Sequence, residues 1–147
     1  MAAGYMTKLQ GYVYEGTLKN GAANPVPNGL IMDQGTAANN NADSLVLPAA
    51  DSSAKFLCME VTDIYGGVVA YRFQVQEIGK RHFFVENERQ FNVEDYQEYD
   101  KRDYTQPVGE LMRAHALLLG EEFVTTCVTG TPTVGTVYSL KNDGTIG

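Results

Sequence analysis

The residues of this chain that could do chemistry are few. Its 147 residues include two histidines, two cysteines and eighteen carboxylates. One stretch, DYTQPVGELMRAHALLLGEEFVTT from Asp103 to Thr126, brings His115, Glu121 and Glu122 close together in sequence. A histidine beside a carboxylate is the raw material of general acid–base catalysis, because the carboxylate orients the imidazole and steadies its charge. Cys58 and Cys127 would supply thiolate nucleophiles if a base stood next to them.

Whether that constellation exists depends on the element that carries it. Helix propensity favours a helix over Glu110–Leu119, since Glu, Leu, Met, Arg and Ala are all good formers. Strand alternation is the rival. Met112, Ala114, Ala116 and Leu118 make one uniformly apolar face, and Leu111, Arg113, His115, Leu117 and Leu119 make the other. Glycines bracket the run, and the β-branched EFVTTCVT follows. The favoured reading is a hairpin of two strands joined at Gly120-Glu121. On it Glu121 and Glu122 lie at a turn rather than in a pocket, and His115 is a surface or satisfied core histidine. No local base–nucleophile–orienter set survives.

Other motifs with a mechanism are missing from the sequence. It has no GxxxxGK[ST], no GxGxxG after a strand, no HExxH and no GxSxG. His82 and His115 alone do not make a zinc site, and the acidic run Glu94–Asp103 lacks calcium-loop spacing. The reading is therefore no catalytic residue, no cofactor site, no metal site, and not an enzyme. A concave pocket around His82 or His115 would favour an enzyme or ligand binder instead. Cys58 and Cys127 form no CxxC, so they are expected as reduced, partly buried thiols. A formal charge of −7 argues against phosphate-backbone binding, hence no nucleic acid. No stretch reaches the roughly 20 apolar residues of a membrane span, and the N-terminus has no apolar signal core. The expected protein is soluble and made in the cytoplasm.

The elements that must position these residues read as strands. Gly11–Gly21, the run GLIMD, SLVLPAA, Phe56–Thr62, Val68–Gln76, His82–Glu86 and Thr136–Leu140 are all strand candidates. Asn20-Gly21, Asn28-Gly29 and Asp143-Gly144 are turn signals. Pro25 and Pro27 forbid a central strand between them. Val93–Arg102, acidic at its start and basic at its end, suits a short helix. The predicted fold is mainly β: a small β-barrel or β-sandwich with turn-rich loops and at most one or two short helices. It is read as one domain over 1–147, with 1–11 either starting the barrel or forming an arm.

The pairing of GELMRAHALLLGEEFVTT with VGTVYSLKNDGTIG, and the front YEGTLKNGAANPVPNGLIM, resembles the head decoration (cement) proteins of tailed phages. The likeness covers mainly Asp103–Gly147. It implies a structural virion protein, made in the host cytoplasm and carried on the capsid surface. Such a protein binds the major capsid protein and neighbouring copies of itself, and stabilises contacts between capsid subunits. Tyr5, Lys8, Tyr12 and Tyr14 are the expected partner contacts. The alternatives are a fibre- or tail-type β protein that binds a host surface, or a small β-barrel ligand binder or enzyme.

Overall fold

The computed structural model describes residues 4–10, 13–35, 44–64, 67–86 and 105–147. Within them the chain is strand and turn, with no helix. The expected helix at Val93–Arg102 lies outside the described residues.

The strands are β1 (Gly4–Lys8), β2 (Val13–Asn20), β3 (Val26–Pro27), β4 (Ile31–Gln34), β5 (Ser44–Val46) and β6 (Asp51–Ile64), followed by β7 (Val68–Glu77), β8 (Phe83–Val85), β9 (Thr105–Gln106), β10 (Leu111–Ala116), β11 (Glu122–Thr125) and β12 (Val137–Leu140). They form two bodies. Five strands close a barrel in the order β10-β2-β5-β4-β8, and five form an open sheet in the order β1-β11-β7-β6-β12. The short β3–β9 pair is separate, and the prolines confine it to two residues a side, as expected.

Period-two alternation sorts the side chains between two cores. Met32, Leu45, Phe83, Val85, Met112 and Ala114 fill the barrel, joined by Leu18 and Cys127. The intervening residues Ile31 and Phe84 turn outward and meet Phe56, Phe73 and Phe123 of the sheet. Phe84 and Phe123 have ring centroids 4.7 Å apart, which makes them the centre of the barrel–sheet seam. On β7, Tyr71, Phe73 and Val75 point into that seam, whereas Val69 runs past it and is exposed.

One expectation is corrected. β10 and β11 are both strands, but they are not a hairpin. β10 pairs with β2 and β8 in the barrel, and β11 pairs with β1 and β7 in the sheet. Gly120, at φ 81°, turns the chain from one body into the other. The predicted tail turn does form: Gly144 takes φ 85°, and Ile146 returns beside Leu140.

Backbones also touch across the seam. A Cβ on Gly4 would lie 2.3 Å from the Gly29 Cα, so no side chain fits there without a backbone shift. Phe123→Ala is expected to lower stability by about 3–5 kcal/mol, and Gly4→Val by roughly 1–3 kcal/mol. Both are to be read from urea unfolding monitored by circular dichroism.

Candidate functional site

Both histidines are buried completely, and both sit on the barrel's sheet-facing side. His82 lies two residues before Phe84, and Asp33 two after Ile31, so each shares the outward direction of its apolar neighbour. His82 Nδ1 is 2.5 Å from Asp33 Oδ1, and its Nε2 is 3.0 Å from Asp51 Oδ2. Asp33 belongs to the barrel and Asp51 opens β6 of the sheet, so the imidazole bridges the two bodies. Lys80 Nζ completes Asp33 at 3.0 Å. The Ser53 hydroxyl and backbone N–H donate to Asp51 Oδ1 at 2.7 and 2.9 Å.

Two carboxylates, each accepting from one ring nitrogen, select the doubly protonated imidazolium. Burial pushes the His82 pKa down, but the hydrogen bonds and charges of Asp33 and Asp51 outweigh it and leave the pKa raised. Asp51 is held down at about 2, chiefly by its Ser53 hydrogen bond and then by His82. Burial raises Asp33, and His82 with Lys80 more than reverses this.

The second histidine makes a parallel clamp. His115 Nε2 is 2.8 and 2.7 Å from the two oxygens of Glu121, which is itself fully buried. Glu121 also accepts from the backbone N–H groups of Leu118 and Gln10, each at 2.6 Å. Three donors on one side chain suit a carboxylate. His115 stands on β10 of the barrel, Glu121 just ahead of β11, and Gln10 just after β1, so this clamp joins the barrel to two sheet strands. Among the described residues, His115 Nδ1 has no hydrogen-bond partner. The expected turn is there, with Glu121 N–H donating to Leu118 O at 3.2 Å, but sequence reasoning missed that the Glu121 side chain folds into the core opposite His115, six residues away. Glu122 is the neighbour that faces out, within 4.0 Å of Lys8 and 3.9 Å of Arg72.

The remaining candidates fall elsewhere. Cys58 lies in the seam core and Cys127 in the barrel, both free. Burial raises both thiols, Cys127 to about 11, which keeps them in the unreactive thiol form. Tyr5 packs half-buried beside Ala70 and Val124 on the sheet's outer face. Tyr14 lies on β2 opposite Ala114, and Tyr12 lies outside the described residues. The turn-signal asparagines do more than turn. Asn20 Nδ2 donates to Gln106 O at 2.9 Å, and Gln106 Nε2 to Asn28 Oδ1 at 2.9 Å, in a buried amide network beside the β3–β9 pair. Among the described residues, no group of three or more His, Cys, Asp or Glu could hold a metal ion.

What fold and site define together is a two-body β protein whose histidines act as charged or polar clamps between barrel and sheet. The chain matches no family model, no curated protein and no solved structure.

The clamps set a pH window. A raised His82 pKa means that its contribution is complete below the unfolded value of 6.5 and is lost as pH rises through the higher folded value. The depressed Asp33 and Asp51 contribute fully above 3.8 and lose that as pH falls towards their folded values. Melting temperature should therefore plateau between roughly pH 4.5 and 6.5 and fall on the alkaline side. His82→Gln should lower the plateau and flatten the alkaline limb; an unchanged limb would refute the assignment. Glu121→Ala, which strands two backbone N–H groups, should cost about 3 kcal/mol.

Proposed function

We propose that this chain is a structural virion protein that binds the outer surface of a phage capsid and stabilises contacts between major capsid protein subunits. One observation carries the reading: the side chains best suited to chemistry are spent inside the molecule. His82 has both ring nitrogens on carboxylates, His115 is buried against Glu121, and both cysteines are buried. An enzyme or ligand binder would turn such groups toward a concave surface. Here they hold one β body against another, which suits a rigid clip that bears load.

The rest is consistent. A charge of −7 favours free subunits that repel one another before they are bound. Many copies on one particle let each contact be modest. Tyr5 and Lys8 remain the proposed contacts at the N-terminal end. Both lie on the outer face of β1, opposite Val124 and Glu122, where a partner surface could cover them. Neighbouring copies of the same chain are the second proposed partner. A fibre- or tail-type protein that binds a host surface would share the rigid β build and differ in where it sits.

Quantitative mass spectrometry of purified particles from the genome that encodes this chain separates the two. A decoration role predicts a copy number that scales with the major capsid protein, and particles that lose their contents at lower temperature when the chain is deleted. A handful of copies per particle, removed together with the tails, would favour the fibre reading. Particles that lack the chain altogether would defeat both.

A further inference from the structure

The open sheet is not complete along its length. β12 lies beside the first half of β6, with Val137 opposite Leu57 and Tyr138 opposite Phe56. The contact ends at Cys58, whose N–H donates to Thr136 O at 3.0 Å and whose carbonyl accepts from Gly135 N at 2.8 Å. Beyond that point β6 continues to Ile64 with β7 on one flank and, among the described residues, no strand on the other.

The direction of the backbone groups follows from the ladder. Val75 exchanges hydrogen bonds with Gly120 and Glu121 on the β11 side, so Phe73 and Tyr71, two and four residues back, also address β11. Their partners on β6, Cys58 and Val61, therefore turn their N–H and C=O away from β7. Cys58 satisfies its groups on β12. Val61, and Asp63 two residues on, present theirs to the open flank. This is a strip about 20 Å long, and its ends differ from the other sheet edge. There the outward N–H of Met6 on β1 is capped by Glu86 Oε2 at 3.0 Å.

We propose that the free flank of β6 from Met59 to Ile64 takes up an extended strand of another polypeptide, one that carries basic residues among β-branched ones. Donors and acceptors at strand spacing, without a partner among the described residues, specify an extended backbone as the occupant. The side chains specify its composition. Val61 is 47% exposed, Val69 51% and Met59 38%, on a ribbon that extends past the seam. Asp63 shares the face of Val61, and Glu60 and Thr62 alternate on the other. An incoming strand thus meets one carboxylate on each of its faces. Glu60 is already shared with Arg72 at 3.1 Å, so Asp63 is the stronger determinant.

The same charges argue against a second copy. Pairing two β6 flanks about a two-fold axis gathers both Glu60 and both Asp63 side chains along one short seam, between chains that each carry −7. A basic strand turns those repulsions into ion pairs. The inference stands apart from the capsid reading, because the strand need not come from a capsid subunit.

The test uses the full chain and two synthetic octapeptides, one of alternating valine and threonine with two lysines, the other with two glutamates in their place. Amide hydrogen exchange is followed by NMR. In the free protein the Val61 and Asp63 amides should exchange fast. The lysine peptide should slow both at least roughly tenfold, and the glutamate peptide should not. Val61→Pro removes one outward N–H without touching the β6–β7 ladder, and should abolish the protection. Asp63→Lys, which keeps every backbone group, should weaken lysine-peptide binding at least roughly tenfold, and serves if the proline variant misfolds. Amides already protected in the free protein would overturn the proposal. So would equal response to both peptides, or sedimentation as a dimer that Val61→Pro dissolves.

Discussion

The packing of Phe84 on Phe123 is the contact on which the rest of this molecule depends. Neither β body could bury its apolar faces alone. The barrel strands are three to eight residues long, and the residues that alternate outward from them, Ile31 and Phe84, are as fully buried as those inside. The sheet has the complementary problem, with Phe56, Phe73 and Phe123 on one face. Bringing the two together creates a single aromatic layer, and removes from water area that strands this short could not hide by closing on themselves.

A layer of that kind is held by packing but not oriented by it, and the histidine clamps supply direction. His82 fixes β4 and β8 of the barrel to the start of β6, and His115 fixes β10 to β11 and the end of β1. Glu86 and Thr125 add two more crossings, to Met6 N and Gly29 O. Buried charge is costly unless every partner is in place. A slipped register would strand Asp33, Asp51 or Glu121, so these groups favour one arrangement of barrel on sheet over near neighbours. The same commitment withdraws them from solution chemistry, which links the stability of the fold to the function proposed for it.

The strands were largely legible and their partners were not. Alternation at Val68–Gln76, the run GLIMD and the Asp143-Gly144 turn are local signals, and each produced the expected element. The β10–β11 hairpin failed because Gly120 announces a change of direction without saying which strands then pair. Both clamps were hidden for a related reason. The two aspartates that hold His82 are 49 and 31 residues away in sequence, and nothing in the spacing marks them. Glu121 was near enough to be found. An acid six residues beyond a histidine, across a glycine that turns the chain, returns to the histidine's level, and the run of three leucines from Leu117 to Leu119 before it was the available clue. Asp33 offered a similar one, as an acid ending the buried run GLIM.

If the seam is what makes the protein one structure, barrel and sheet must unfold together. Native-state hydrogen exchange in increasing urea measures this directly. The amides of Met112 in the barrel and Phe73 in the sheet should merge onto one isotherm, with the same opening free energy and the same dependence on denaturant. A barrel that opens at distinctly lower free energy while the sheet stays protected, or the reverse, would show two independent bodies and contradict the account.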